Sequence, residues 1–164
     1  MAGERATTGR FEDAGWEPVG TTQRTDTNFG DDILDYRGQP GIDGVFVRRD
    51  ADGNVVEFAI VETKATGSGE AGSLRPEQMS QDWLLGRLED NRAGLTNAEY
   101  QSLYDQISAG NLDNVTLVKA DVTGVRTDDN GRLTGTPVVE FTELTLDGRT
   151  GVTVGDPWQL PGEN

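Results

Sequence analysis

The sequence predicts an α/β domain in which a mixed central β-sheet is flanked by helices. The apolar patterns run in the order helix, two strands, two helices and two strands, which is typical of α/β or α+β folds. Residues 58–61 are apolar on both faces of a strand, as expected at the buried centre of a sheet. A length of 164 residues suits one core. We therefore predict a single domain over residues 1–154 and a polar C-terminal tail over residues 155–164.

The N-terminal part is predicted to contain a helix and a β-hairpin. Gly3–Ala14 can form a short helix that ends at Gly15, because glycine tolerates the left-handed conformation there. The polar, Asp-rich segment Thr21–Asp35 is predicted to be a loop. Two stretches rich in strand formers, Ile42–Arg48 and Val55–Lys64, surround a short turn and are predicted to pair as a hairpin.

The C-terminal part is predicted to add two helices and two strands. Pro76 suits the first turn of a helix. The apolar residues that follow it repeat at helical spacing: Met79, Trp83, Leu84 and Leu88. Thr96–Glu99 has the pattern of a capping box and begins a second helix, which Gly110 should end. Val115–Arg126 and Val138–Leu146 are predicted to be strands.

The chain contains no cysteine and no histidine. Disulfides, thiolate metal ligands and cysteine nucleophiles are therefore excluded, and so are histidine general bases, Ser-His triads and imidazole metal ligands. Any catalysis must use carboxylates, lysine, hydroxyls, backbone groups or a metal ion bound through oxygen.

The charge is strongly acidic, with 29 Asp and Glu against 14 Lys and Arg and a net charge of −15. Such a surface repels nucleic acid at low salt, whereas a Debye length of about 3 Å near 1 M salt screens the repulsion. The basic residues are twelve arginines and two lysines, Lys64 and Lys119. The acidic excess, the scarcity of lysine and the lack of cysteine are typical of halophilic archaeal proteins.

No targeting or membrane segment is recognisable in the sequence. No apolar run approaches the roughly 18 residues that span a bilayer, and residues 1–10 lack the apolar centre of a signal peptide. We therefore expect a cytoplasmic protein that does not enter membranes, or a piece of a longer chain such as a secreted effector.

One constellation of polar residues falls at the end of the predicted hairpin. Glu62 and Lys64 are two residues apart on the most apolar strand, so their side chains point to the same face. Asp43 begins the partner strand, and the short turn brings the start of one strand beside the end of the other. Asp43, Glu62 and Lys64 should therefore meet at one edge of the sheet.

This set of residues suits phosphodiester hydrolysis assisted by Mg²⁺ or Mn²⁺. Asp43 and Glu62 would bind the cation through oxygen, and the backbone carbonyl of Thr63 could add a ligand. The metal would polarise a phosphate and lower the pKa of a bound water, which Lys64 would orient. A chain with twelve arginines retains a lysine beside Glu62, which suggests a need for a compact ammonium. Taken alone, a Glu-x-Lys pattern is weak, and a chance surface lysine explains it more often.

Three sequence blocks around these residues make the pattern more specific. The blocks GIDGVF at residues 41–46, VETKA at residues 61–65 and QMSQDW at residues 78–83 follow one another within residues 41–88. In order and spacing they resemble the PD-(D/E)xK nuclease superfamily, and most closely its restriction-endonuclease-fold domains found as toxin effectors. Ile42 stands where the superfamily name has proline, and Pro40 lies two residues earlier.

The resemblance implies a restriction-endonuclease-like core and assigns roles to five residues. Asp43 and Glu62 match the two acidic metal ligands, and Lys64 matches the catalytic lysine. Gln78 matches a glutamine on the helix after the core strands, close to the site; the alternative for Gln78 is a helix cap or a solvent-facing residue. Glu4 matches the acidic residue of the first helix that can complete the metal shell.

Several alternatives stay open at this point. Glu12, Asp13 or Asp31 could take the place of Glu4. Trp83 is expected in the core rather than against substrate, because it lies on the apolar helical face. The Asp- and Gly-rich segments 50–53 and 128–131 are expected to be simple turns rather than calcium loops. Lys119 is expected to be a surface residue on a strand.

The favoured hypothesis is a metal-dependent nuclease that acts on DNA in preference to RNA. Its affinity for phosphate would come from the metal and from nearby arginines: Arg48, Arg49, Arg75 and Arg87. A toxin effector with the same chemistry would have a cognate immunity protein as a partner, and a homodimer would supply the two sites that cutting a duplex needs. The alternative is a non-catalytic acidic interaction module or an inactive nuclease-fold protein.

Overall fold

A mixed β-sheet forms the centre of the chain. A computed structural model describes residues 2–20, 41–130 and 132–163 of the chain. The elements in chain order are α1 (Ala2–Asp13), β1 (Glu17–Val19), β2 (Gly44–Arg49), β3 (Val55–Ala65), α2 (Gln81–Leu85), a 3₁₀ turn (Leu88–Asn91), α3 (Asn97–Ala109), β4 (Val115–Thr123), β5 (Arg126–Thr127), β6 (Leu133–Thr134), β7 (Val138–Asp147) and β8 (Gly151–Pro157).

Six of the described strands form one sheet in the order β1-β2-β3-β4-β7-β8, and β5 pairs with β6 in a separate small ribbon. Strands β3 and β4 are parallel, and every other neighbouring pair in the large sheet is antiparallel. A parallel pair needs a crossover connection, which α2, the 3₁₀ turn and α3 provide here. The prediction of an α/β domain with a mixed central sheet is therefore confirmed.

Side chains of β3 alternate between two cores, one on each face of the sheet. Phe58 and Ile60 belong to the core that contains Leu84 of α2 and Leu103 of α3. Ala59 and Val61 belong to the core that contains Phe11 of α1 and Phe141 of β7. Since both faces of β3 are covered by helices, the prediction of a buried central strand is correct.

The hairpin of β2 and β3 is set by its register and by its turn. Gly44 pairs with Val61 and Arg48 pairs with Glu57. The Asp50 side chain accepts hydrogen bonds from the N–H groups of Asp52 and Asn54 at 2.9 and 3.0 Å and closes the turn. The structure therefore confirms this hairpin, with strand ends within two residues of the predicted ones.

The three predicted helix ends that rest on capping are confirmed. In α3, the Thr96 hydroxyl accepts from the N–H of Glu99, and the Glu99 carboxylate accepts from the N–H of Thr96. Gly110 ends α3 with a φ of 66°, and Gly15 follows α1 with a φ of 88°. Both angles lie in the left-handed region, which glycine adopts without strain.

The helix predicted to open at Pro76 begins later than expected. Helix α2 starts at Gln81, because the Ser80 hydroxyl accepts from the N–H of Trp83 and caps the helix there. Residues 76–79 instead form turns, in which Glu77 and Met79 have φ angles of 65° and 70°. The helix start predicted at Pro76 was wrong, because the capping hydroxyl of Ser80 sets the start of the helix.

The described part of the predicted polar tail, residues 155–163, packs against the rest of the chain. Strand β8 continues to Pro157, and Leu160 is 1% exposed. The Trp158 N–H donates to the carbonyl of Phe141 at 2.9 Å, and the Trp16 indole N–H donates to the carbonyl of Pro161 at 2.8 Å. Two apolar side chains in a Gly- and Pro-rich segment are thus enough to close one core, so the segment packs as part of the domain.

The predicted loop Thr21–Asp35 lies outside the described residues. None of the helices in the described part of the chain has the length and apolar character needed to cross a membrane.

Helix α1 approaches the end of β3 at Gly3. A Cβ built at Gly3 would overlap the Cβ of Ala65 and would lie 3.3 Å from Cγ2 of Thr63. Thr7 and Thr63 are also in contact, with their hydroxyl oxygens 3.3 Å apart. A residue without a side chain at position 3 therefore lets the first turn of α1 reach this end of the sheet.

Gly3→Ala is expected to destabilise the protein by about 1–3 kcal/mol, the usual range for overpacking. Urea unfolding followed by circular dichroism measures this change. Gly9→Ala is the matched control in the same helix, since a Cβ there meets nothing within 4 Å. The control should be neutral or slightly stabilising, and equal stability of both variants would contradict the close approach at Gly3.

Candidate functional site

Asp43 and Glu62 lie together at the open end of the hairpin. The ladder between β2 and β3 stops at the pair Gly44 and Val61, so the N–H of Thr63 lies beyond it. The Asp43 carboxylate takes the place of a strand partner and accepts from the Thr63 N–H at 2.9 Å. Glu62 is only 4% exposed. The predicted meeting of these two acids at one sheet edge is observed.

Lys64 and Gln78 complete a connected group around Glu62. The Lys64 ammonium lies 3.1 Å from Oε1 of Glu62 and donates to Oε1 of Gln78 at 3.1 Å. The Gln78 amide donates through Nε2 to Oε1 of Glu62 at 2.6 Å. All three side chains therefore share one cluster, and the alternative of a solvent-facing Gln78 is excluded because Gln78 is 7% exposed.

Gln78 is presented to Glu62 by an unusual stretch of backbone. The residues on either side of it, Glu77 and Met79, both have left-handed φ angles although neither is glycine. Such conformations cost of order 1–3 kcal/mol each and often occur at functional sites. The Arg75 N–H donates to Oε1 of Gln78 at 3.0 Å, which fixes the amide so that its nitrogen faces Glu62.

One oxygen of Glu62 has no hydrogen-bond partner. Oε1 is engaged by Lys64 and Gln78, whereas Oε2 is buried and has no donor among the described residues. The nearby carboxylate of Asp43 cannot supply a donor when both groups are ionised. A buried, unpaired carboxylate oxygen is costly, so this oxygen requires a proton or a cation.

The electrostatics of the two acids agree with this requirement. The pKa of the Asp43 carboxyl is raised from 3.8 to about 8, mainly by burial and also by the negative charges of Glu62 and Glu4, against the lowering effect of the Thr63 N–H. Burial also raises the pKa of Glu62, against the lowering effect of the Lys64 ammonium. A cation between the two carboxylates would remove the repulsion and favour both ionised forms.

Glu4 belongs to the same electrostatic group. It lies in the first turn of α1, and its charge raises the pKa of both Asp43 and Glu62. The alternatives Glu12 and Asp13 are exposed and lie about 12–14 Å further along the helix at 1.5 Å per residue. Asp31 lies outside the described residues, and so does Pro40.

Thr63 takes part through its backbone. Its N–H faces Asp43, and in an antiparallel ladder the carbonyl of a residue points to the same side as its N–H. The Thr63 carbonyl therefore faces the edge where Asp43 lies, which is where a metal ligand was predicted. The Thr63 side chain points to the other face of the sheet, where it contacts Thr7.

No group of three or more Asp, Glu, His or Cys side chains forms a ready metal cage within the described residues. Mg²⁺ does not need such a cage, because it usually keeps several waters and binds one or two carboxylates together with substrate phosphates. The donor set of Asp43, Glu62 and the Thr63 carbonyl, with an unpaired buried oxygen, fits such a partly hydrated cation.

Lys119 is not the surface residue that the sequence suggested. Its side chain is 12% exposed and its ammonium lies 2.6 Å from Oδ1 of Asp121. The parallel register places Lys119 beside Glu62 and Asp121 beside Lys64. Both lysines of the chain therefore lie on the same face of adjacent strands, each next to an acid. Sequence reasoning missed Asp121 because the register of a parallel pair joined by a long crossover is not readable from spacing.

A cleft of about 290 Å³ opens at this group. It is lined by Asp43, Glu62 and Gln78 and also by Arg75, Trp83 and Arg87. Trp83 is half-buried and packs against the core, as expected, and it also lines the cleft. The structure thus brings two arginine side chains and one indole to the same opening as the acids.

The four arginines expected to bind phosphate divide into two pairs. Arg48 contacts Glu57, and Arg49 contacts Glu17 and Glu99. Both residues are thus engaged by acids near the turn of the hairpin, and neither lines the cleft, so the structure lends no support to their expected role. Their two counterparts, Arg75 and Arg87, line the cleft.

Comparison of the chain with protein-family models, with curated proteins and with solved structures gave no match in any of the three. The resemblance to the nuclease superfamily therefore rests on the sequence blocks. The site described above rests on the geometry of this chain alone.

The raised pKa of Asp43 predicts how stability depends on pH. Between pH 3.8 and about 8 the folded protein holds a proton that the unfolded chain has released, so the free energy of unfolding should fall as the pH rises through this window. Asp43→Asn, which is neutral at every pH, should make this slope shallower in urea unfolding with a chelator present. The exposed turn variant Asp52→Asn is the control, and equal slopes in the two variants would contradict the account.

Proposed function

We propose that this chain is a metal-dependent nuclease of the PD-(D/E)xK type. The observation that carries the proposal is the buried, unpartnered Oε2 of Glu62, which lies in a residue that also contacts Asp43 and Lys64. An acceptor without a donor beside a second carboxylate is suited to bind a divalent cation. The lysine next to it supplies the positive charge that phosphodiester cleavage needs.

Asp43, Glu62 and the carbonyl of Thr63 would hold Mg²⁺ or Mn²⁺, with Glu4 close enough to add negative charge to the shell. Such a cation, when bound, polarises a phosphate and lowers the pKa of a coordinated water. The absence of histidine from the chain is compatible with this choice of ligands.

The residues of the chain have separable tasks in the proposed reaction. Lys64 is held by Glu62 and Gln78, so its ammonium has a fixed position from which to offset charge developing on the phosphate. Gln78 donates to Glu62 and thereby leaves the other oxygen of Glu62 for the cation. Gln78 is thus a positioning residue in this proposal, and Lys64 is the catalytic residue.

The finer fold assignment, a restriction-endonuclease-like core, belongs to the same proposal. It is supported by the mixed central sheet with helices on both faces. It is also supported by the place of the site, where β3 extends past the start of β2.

The proposed substrate is nucleic acid, with DNA favoured over RNA. The net charge of −15 opposes binding at low salt, so activity should be sought in about 1 M KCl, where the repulsion is screened. The same chemistry would serve a toxin effector whose partner is an immunity protein, and a homodimer would allow cleavage of both strands.

Purified protein is expected to cleave DNA in the presence of Mg²⁺ or Mn²⁺ and not in chelator. Lys64→Ala and Glu62→Gln should each lower the cleavage rate by about 100-fold or more, the range for loss of one group that stabilises transition-state charge. A gel assay at fixed high salt measures the rates, and circular dichroism verifies that each variant is folded.

Glu57→Gln is the control for this experiment. Glu57 lies on the same strand, but about 16 Å from Glu62 at 3.3 Å per residue, where it pairs with Arg48. Its loss should change the rate by less than about twofold. Metal-dependent cleavage that survived both Lys64→Ala and Glu62→Ala would exclude the proposed site. A folded protein that neither cleaves nor binds Mn²⁺ in calorimetry would be a non-catalytic acidic module.

A further inference from the structure

A second unpartnered atom lies at the same cleft. Two buried side-chain polar atoms lack a hydrogen-bond partner in the part of the chain that the structure describes: Oε2 of Glu62 and Nε of Arg87. Both residues line the cleft. One atom is an acceptor that requires a cation or a proton, and the other is a donor on a permanently charged group that requires an acceptor.

Arg87 is held in place by Trp83 and not by an acid. Its guanidinium lies 4.3 Å from the centre of the Trp83 ring, and Nη1 donates to the Trp83 carbonyl at 3.1 Å. Within the described ranges, no other nitrogen of this guanidinium has an acceptor, and no carboxylate pairs with it. The contact with the indole fixes the plane of the group while its charge stays uncompensated.

The described arginines differ in whether they have an acidic partner. Acidic residues outnumber basic ones by 29 to 14. Several other arginines do contact carboxylates: Arg10, Arg48, Arg49 and Arg149. The Arg75 side chain likewise has no carboxylate contact among the described residues, and it lines the cleft with Arg87. Arg92 also lacks a carboxylate contact among the described residues, so what distinguishes Arg75 and Arg87 is their place at the opening that also holds the acids.

We propose that Arg87, assisted by Arg75, binds a backbone phosphate of the nucleic acid next to the phosphate that is cut. The fork of a guanidinium offers two parallel donors to the oxygens of a phosphate; Nη2 would bind directly, and the buried Nε would follow after a small rotation of the side chain. The identity of the ligand as a nucleic acid strand rests on the proposed function. The anion site itself rests on the contacts of Arg87.

The proposal separates Arg87 from Lys64 in kinetic terms. A phosphate that does not react is bound equally in the ground state and in the transition state. Loss of a contact with this phosphate therefore raises KM and leaves kcat unchanged. Arg87→Gln should raise KM by about tenfold, as expected for one charge-assisted contact, with kcat changed by less than about twofold. The slope of binding affinity against salt concentration should decrease by about 1.

Arg48→Gln is the matched control for Arg87→Gln. It removes the same charge from the protein, but at the far end of the hairpin, where Arg48 pairs with Glu57. It should leave KM and the salt slope unchanged. Arg75→Gln is a second test that does not risk a folding defect, because the Arg75 side chain is exposed. This variant should also raise KM, as Arg87→Gln does. Equal KM values for Arg87→Gln, Arg75→Gln and Arg48→Gln would overturn the proposal.

A binding experiment without metal separates this proposal from the nuclease assignment. In chelator, the Arg87 Nε–H resonance, assigned by its loss in Arg87→Lys, is followed by NMR during titration with a single-stranded DNA oligonucleotide and, separately, with inorganic phosphate. A shift with the oligonucleotide at lower concentration than with phosphate supports a backbone-phosphate site, even if no cleavage is found with metal. A resonance that does not move with the oligonucleotide overturns the site, even if the protein cleaves DNA. A response to inorganic phosphate alone also overturns it, because the strand is then not the ligand.

Discussion

The repulsion between two poorly hydrated carboxylates is the constraint on which the site depends. Asp43 and Glu62 are held in contact at the end of a hairpin, and the pKa of each is raised by burial. Lys64 and Gln78 engage only one oxygen of Glu62. The arrangement is unfavourable while both groups are ionised, and a cation bound between them, as proposed, would relieve the repulsion.

The surrounding fold keeps this unfavourable arrangement in place. The strand that carries Glu62 is covered on both faces by apolar cores, so the end of the strand has little freedom to move away from Asp43. Gly3 allows helix α1 to approach the same end and brings Glu4 within electrostatic reach. The left-handed backbone around Gln78 is a further local cost. All of these features surround the carboxylate of Glu62.

The parts of this structure that the sequence could predict are those set by local periodicity. Strand-forming residues on both sides of a short turn predicted the hairpin, and the two-residue spacing placed Glu62 and Lys64 on one face. What could not be predicted depends on contacts distant in sequence. The partners of Lys119 depend on the register of the parallel pair β3 and β4, and the division of the arginines depends on which acids fold beside them. The packing of Leu160 depends on a core that forms only when both ends of the chain meet.

Crystals soaked in Mn²⁺, with diffraction recorded at the manganese absorption edge, test the central claim most directly. The account predicts one anomalous peak within bonding distance of carboxylate oxygens from both Asp43 and Glu62, and loss of that peak in Glu62→Gln crystals. A well-ordered site with no peak between the two acids, or with their side chains on opposite faces of the sheet, would contradict it.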